Sequence, residues 1–247
     1  MNDGTIALIT GANKGLGRAA ARRLAGRGMT VLIGSRDRAR GAEAAEALGA
    51  DGGDLRAVAL DVTDAATIEA VAGEIGERFG RLDVLVNNAG VSGFPGRTSP
   101  GTADLELVRR VFETNVLGVI AVTDAMLPLL SRSPAARVVN VSSGVGSLTF
   151  MTDPGHYMSR LPGHVAYPPS KAALNALTVQ YARDLRERGI LVNACTPGPC
   201  ATDFTRHLGL ALTRSADDGA AIVERLATLG ADGPTGGFFD DEGAVPW

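Results

Sequence analysis

Three tyrosines and two lysines carry the first chemical signal in this chain of 247 residues. Of its 24 basic side chains, all but Lys14 and Lys171 are arginine. Arginine does not replace lysine where chemistry needs a compact point charge, so the two lysines are the first residues to place. Tyrosine, with an ordinary pKa of about 10, is a poor base at neutral pH, and a nearby ammonium favours its phenolate. Residues four apart share one face of a helix. Four residues beyond Tyr157, Tyr167 and Tyr181 stand Leu161, Lys171 and Leu185. Tyr167 alone gains a cation, which makes it the candidate for moving a proton. The other lysine lies in the spacing Gly11-x-x-x-Gly15-x-Gly17. Glycines in a turn before a helix let backbone N–H groups and a phosphate approach closely, and the helix dipole favours the negative charge.

The elements that must position these residues alternate along the chain. The apolar run Thr5–Thr10 reads as a buried strand, and the glycine loop follows it. Arg18–Arg27 has apolar residues at helical spacing. Further strands are expected at Thr30–Gly34, Ala57–Leu60, Val84–Val86, Arg137–Val141, Ile190–Ala194 and Gly237–Phe239. Helices are expected at Asp37–Leu48, Asp64–Phe79, Ala103–Leu130 (one or a pair), Tyr167–Arg188 and Ala216–Leu229. Ser142–His164 and Thr196–Ser215 read as irregular. Strand–helix alternation with near-continuous apolar strands predicts an α/β fold: a doubly wound, mainly parallel sheet of about seven strands, with helices on both faces. With no composition break, repeat or linker, residues 1–247 read as one domain.

The second strand is followed by Ser35, Arg36 and Asp37. A dinucleotide's adenosine ribose lies at such a place. A carboxylate there suits a free 2′-hydroxyl, and a cation suits a 2′-phosphate. Arg36 and Lys14 favour NADP(H). Asp37 is the rival, either as a ribose acid or as the cap of the next helix.

These residues, taken together, resemble the short-chain dehydrogenases/reductases, the single-domain branch of about 250 residues. The matching pieces are Thr10–Gly17 (TGANKGLG), Asp61-Val62, Asn87–Gly90 (NNAG), Asn115 in ETNVLG, Ser142-Ser143 after VVNV, Tyr167–Lys171 (YPPSK), and Pro197-Gly198 with Thr202-Asp203. Their order covers essentially the whole chain, and the TGANKG wording is similar to the carbonyl reductases of that family, which use NADPH. The resemblance implies a Rossmann-type fold. It implies that Gly11, Asn13, Lys14, Gly15, Leu16 and Gly17 hold the cofactor's phosphates. Asp61 would bond the adenine amino group with Val62 beside the ring, and Asn88, Ala89 and Gly90 would line the adenosine side. Pro197, Gly198 and Thr202 would hold the nicotinamide carboxamide. Asn115, Ser143, Tyr167 and Lys171 would be the catalytic four. Ser143 is preferred to Ser142 as the second residue after the strand. In these roles Tyr167 gives a proton to the carbonyl oxygen that Ser143 bonds. Lys171 lowers the tyrosine's pKa and bonds the nicotinamide ribose, and Asn115 holds a water linking Lys171 to solvent. The substrate would be a small or medium ketone or aldehyde.

Two departures stand out. Pro168 and Pro169 lie between Tyr167 and Lys171. Proline fits only the first turn of a helix, so the helix is expected to start within a residue or two of Tyr167. Ser143 and Tyr167 are also farther apart than is usual in the family. That places an insertion at 147–164, carrying Phe150, Met151, Tyr157 and Met158, and leaves Tyr157 without a lysine partner. Longer segments here, in the members the chain resembles, imply a monomer or homodimer. The segment 197–215 would be a flap over substrate.

The remaining composition bounds the partners. With 24 basic and 27 acidic side chains the net charge is -3, which gives no reason to expect nucleic acid or an anionic membrane. Val138–Thr152, the longest uncharged stretch, is too short and polar to span a bilayer. A strand pattern from Thr5 leaves no room for a signal peptide. Cys195 and Cys200 read as free thiols in a reducing compartment, so a cytoplasmic location is expected. Cys200, beside the nicotinamide turn, is a candidate reactive thiol and more simply a loop residue. His156, His164 and His207 have no metal-ligand spacing and read as loop residues, and no metal site is expected. The tail Gly236–Trp247 would pack on the sheet edge or on a partner. Two other functions share these residues: an NAD-dependent alcohol dehydrogenase working oxidatively, and a nucleotide-binding regulator without turnover.

Overall fold

The computed structural model describes residues 4–50, 52–206 and 211–247. Among them, seven strands form one parallel sheet in the order β3-β2-β1-β4-β5-β6-β7. They are β1 (Ile6–Ile9), β2 (Thr30–Ser35), β3 (Leu55–Ala59), β4 (Val84–Asn87), β5 (Arg137–Val141), β6 (Leu191–Cys195) and β7 (Phe238–Phe239). The order reverses between β1 and β4, so the loops after these two strands part and leave a crevice at their carboxyl ends. β1, β4, β5 and β6 are buried along their whole length, because helices cover both faces of the sheet. On one face Leu8, Leu85 and Val138 pack with Ile75, Met126 and Leu185. On the other Ile9, Val86 and Val139 pack with Leu24, Leu48 and Val223.

The helices start where the sequence supplies a cap. Asp37 caps α2 (Arg38–Gly49), Asp64 caps α3 (Ala65–Phe79) and Asp104 caps α4 (Leu105–Phe112). Ser215 and Asp218 form a capping box on α8 (Ala216–Ala227). By contrast α1 (Gly15–Gly26) has no side-chain cap on its first turn. The expected Ala103–Leu130 helix is continuous but not uniform. After α4 it widens into a π-turn at Glu113–Leu117 and continues as α5 (Gly118–Leu130). The stretch expected to be irregular between β5 and α7 (Tyr167–Leu185) holds a 3₁₀ turn at Gly144–Gly146, the short α6 (Leu148–Thr152) and a second 3₁₀ turn at Tyr157–Arg160. The tail packs on the sheet edge: Val245 N donates to Phe238 O at 2.7 Å, and Trp247 stacks on Phe238.

Polar contacts hold α7 against the sheet. The Asn87 amide on β4 donates to Asn140 Oδ1 on β5 at 2.9 Å, and the Asn140 amide donates to Thr178 Oγ1 on α7 at 2.9 Å. All three side chains are buried. Asn140→Ala would unpair one Asn87 amide hydrogen in the core, the other being given to Thr123 Oγ1 at 3.1 Å. It is expected to lower the unfolding free energy by about 2–3 kcal/mol in urea titrations, and a loss below about 0.5 kcal/mol would show that this chain of bonds does not anchor the helix.

Candidate active site

Tyr167 is the first residue of α7, and the prolines follow it inside the first turn. Neither Pro168 nor Pro169 costs a helical hydrogen bond there. One turn on, Lys171 is buried, and its Nζ donates to the carbonyl of Val141, the last residue of β5, at 2.7 Å. The ammonium lies 5.6 Å from the centre of the Tyr167 ring. Ser143, two residues beyond Val141, is near enough to the Tyr167 phenol to favour its ionised form. Ser142 is committed elsewhere: its hydroxyl donates to Asn175 Oδ1 at 2.6 Å. Asn175 in turn donates to the carbonyl of Gly146 at 3.1 Å. The preference for Ser143 over Ser142 therefore has a structural reason.

Asn115 sits in the π-turn and is fully buried. Its carboxamide clamps the loop after β4, accepting from Val91 N and donating to Val91 O, both at 2.9 Å, and it donates to Ser170 Oγ at 3.0 Å. Both amide hydrogens are thus engaged by protein groups. A Cβ on Gly90 would lie 3.3 Å from Asn115 Oδ1 and 3.8 Å from Lys171 Nζ. Gly90, Asn115 and Lys171 thus share one small space.

Burial dominates the electrostatics. It pushes the Tyr167 phenol up to about 12, with Ser143 acting in the opposite direction. It pushes the Lys171 ammonium down to about 8, partly offset by the neighbouring Cys195 thiol. The expectation that Lys171 lowers the Tyr167 pKa is not met. The ammonium is turned toward the Val141 carbonyl, and desolvation sets the direction of the phenol's shift. Cys195 is fully buried and its thiol is raised to about 12. Cys200 is also buried and raised. Neither has the depressed pKa of a reactive thiol. Tyr157 is exposed, with its phenol raised by desolvation.

The cofactor side starts at the uncapped end of α1. Gly11 and Gly15 hold positive φ of 64° and 55°, which other residues adopt only with strain. A Cβ on Gly11 would lie 3.0 Å from the Ala89 backbone, and one on Gly17 would collide with the Asn88 amide. That amide braces the loop, donating to the carbonyls of Thr10 at 2.8 Å and Gly11 at 3.1 Å. An uncapped helix start behind a glycine turn suits the phosphates of a dinucleotide. Leu16 packs into the core on the α1 side of the sheet, while Asn13 is half-buried and Lys14 exposed. Lys14 Nζ faces Asp203 Oδ2 at 3.3 Å, with both side chains about half exposed, next to Thr202. β2 runs through Ser35, and the exposed Arg36 follows it. Asp37 is occupied as a cap: its Oδ1 accepts from Ala39 N at 3.0 Å and Arg40 N at 3.2 Å. Asp61 Oδ1 accepts from the Thr63 backbone and hydroxyl, and Val62 packs behind Gly118. Pro197 and Gly198 form a turn whose Pro197 carbonyl accepts from Arg214 Nε at 2.8 Å.

Several residues here escaped the sequence. Asn175 and Thr178 lie eight and eleven positions after Tyr167, and a run of polar residues at helical spacing on an otherwise apolar face was the available signal. Thr196 Oγ1 accepts from Gly144 N at 3.0 Å and fixes the turn after Ser143. Two histidines, expected as plain loop residues, accept backbone hydrogen bonds through Nδ1. His156 takes Met158 N, and His164 takes the N–H groups of Ala166 and Tyr167. His207 lies outside the described residues.

A sequence model of the short chain dehydrogenase family matches residues 5–212. The chain is 37% identical over 247 residues to the short-chain dehydrogenase anuI of Penicillium roqueforti, covering 97% of this chain and 95% of that one. Its structure is similar to that of salutaridine reductase from Papaver somniferum, with a TM-score of 0.82, 30% identity, and coverage of 96% and 99% of the two chains. It is also similar to the Pseudomonas aeruginosa RhlG/NADP active-site complex, with a TM-score of 0.82, 31% identity, and coverage of 95% and 93%. The chain belongs to the short-chain dehydrogenase/reductase family, and so to the oxidoreductases that bind a nicotinamide cofactor.

Because the chain has only two lysines, their side-chain NMR signals can be separated by comparison with Lys171→Arg. The Lys171 signal is expected to titrate near 8. The ordinary value is 10.5, so the unfolded chain holds the extra proton between those limits. Stability contributed by this group therefore rises with pH from about 8 to 10.5 and falls away as pH drops through 8. A midpoint above 10 would contradict the burial of the ammonium.

Proposed function

We propose that this chain reduces a small or medium ketone or aldehyde to an alcohol with NADPH, Tyr167 acting as the proton donor. The observation that carries the reading is the grouping of Tyr167, Ser143 and the buried Lys171 ammonium beside the glycine loop. When bound, the reduced nicotinamide supplies the hydride. The protein supplies orientation, a donor to the carbonyl oxygen, and the proton. Ser143 donates a hydrogen bond to that oxygen. Tyr167 gives up its phenolic proton as the oxygen becomes an alkoxide. A phenol held protonated by burial suits donation in the reductive direction, whereas alcohol oxidation needs it as a base. Lys171 would bond the nicotinamide ribose and return a proton to the tyrosine side. Asn115 keeps Val91 and Ser170 in place around Lys171.

The choice of NADPH rests on the residues after β2. With Asp37 committed to capping α2, the exposed Arg36 is the group beside the ribose position, and Lys14 adds a second charge by exchanging its Asp203 partner for a 2′-phosphate. The NADP complex of the RhlG structure agrees with this reading.

The substrate's body would meet apolar walls. The Phe204 ring lies 5.6 Å from the Tyr167 ring. A Cβ on Gly144 would collide with the Met158 methyl from the segment between β5 and α7. Phe94 stands over His164 at 4.8 Å. These walls favour an uncharged carbonyl compound with apolar substituents.

Tyr167→Phe is expected to lower kcat by about 10³-fold or more, while NADPH affinity by fluorescence titration stays within about threefold. NADPH is also expected to raise the melting temperature more than NADH does. Near-normal turnover in Tyr167→Phe would rule out the proton role. A larger NADH shift would move the reading to an NAD-dependent enzyme.

A further inference from the structure

We propose that His164 is a positioning residue that sets where α7 begins and so where the Tyr167 side chain stands; this rests on Tyr167 being the proton donor. The first turn of α7 accounts for its backbone groups in an unusual way. Pro168 and Pro169 carry no N–H. Ser170 N donates to Ala166 O at 3.0 Å. The N–H groups left at the start are those of Ala166 and Tyr167, and Ala166 has no side chain able to cap a helix. Both donate to one atom, His164 Nδ1, each at 3.2 Å.

An imidazole nitrogen that accepts carries no proton, so the proton of neutral His164 is on Nε2. Its ring is braced by Phe94, edge to face at 4.8 Å and 66°. The adjoining backbone is pinned to the same loop, Val165 N donating to Thr98 O at 2.8 Å. The loop after β4 therefore holds the tyrosine end of α7 through His164 and, through Val91 and Asn115, the surroundings of Lys171.

A catalytic side chain on a helix interior is held by the turns on either side. Tyr167, on the first residue, has a turn on one side only, and the N–H groups at that end are held by the imidazole. Without the imidazole the first turn is free to unwind by a residue. A displacement of about 1 Å at a reacting atom can cost about 100-fold in rate.

The test compares His164→Ala with His164→Asn, since asparagine keeps a short-reach acceptor. H164A is expected to lower kcat about 10- to 100-fold, with KM and NADPH affinity within about twofold, and H164N to restore kcat to within about threefold of the parent. A folded H164A with kcat within about twofold of the parent would overturn the proposal, as would an H164N as impaired as H164A. Should H164A not fold, amide hydrogen exchange in the unaltered enzyme decides. The Ala166 and Tyr167 amides are expected to exchange at least about tenfold slower than in an unstructured peptide, and unprotected exchange would overturn the assignment. Tyr167→Phe in the same assay separates the two readings. If it remains active, the proton role has failed. If it is inactive while H164A is fully active, the positioning role has failed.

Discussion

A buried ammonium is the constraint on which the rest of this site depends. Taking a lysine head group out of water costs several kcal/mol unless partners replace the lost hydration. Here a single carbonyl, that of Val141, lies at 2.7 Å, and a tyrosine ring lies over the charge. The remaining cost appears as a lysine pulled down to about 8. The arrangement works only if α7 keeps one register against β5. A shift of one turn would carry Lys171 away from the Val141 carbonyl and Tyr167 away from Ser143.

The register is held by polar bonds along one side of α7. Thr178 meets Asn140, Asn175 meets Ser142 and Gly146, and Ser170 meets Asn115. Apolar packing alone does not specify register so narrowly, because aliphatic side chains tolerate sliding and repacking. Each polar side chain left unmatched in the core would cost more than its bond is worth. The same bonds that stabilise the fold therefore define the relative placement of Tyr167, Lys171 and Ser143.

Much of this is legible in the residue pattern. The apolar runs of β1 and β5 and the caps Asp37 and Asp64 mark their elements because burial and capping leave direct traces in residue type. The double proline after Tyr167 pointed to a helix start, and the helix starts there. The π-turn around Asn115 left no trace, since an apolar stripe has nearly the same period through an α-helix and a single wide turn. Burial around Tyr167 was not readable either. Lys171 four residues away suggested a lowered phenol, whereas desolvation at Tyr167 raises it. The role of His164 at the first turn of α7 depends on backbone direction, which no residue pattern announces.

The function proposed for this arrangement is the transfer of a hydride and a proton to a carbonyl. Stopped-flow mixing of the NADPH-loaded protein with excess apolar cyclic and aromatic ketones, followed at the nicotinamide absorbance, tests it in a single turnover. Loss of one equivalent of NADPH per site with formation of one equivalent of alcohol is expected, with a slower or absent reaction with NADH. NADPH that binds tightly but stays reduced against every carbonyl compound would contradict it and leave a nucleotide-binding protein without turnover.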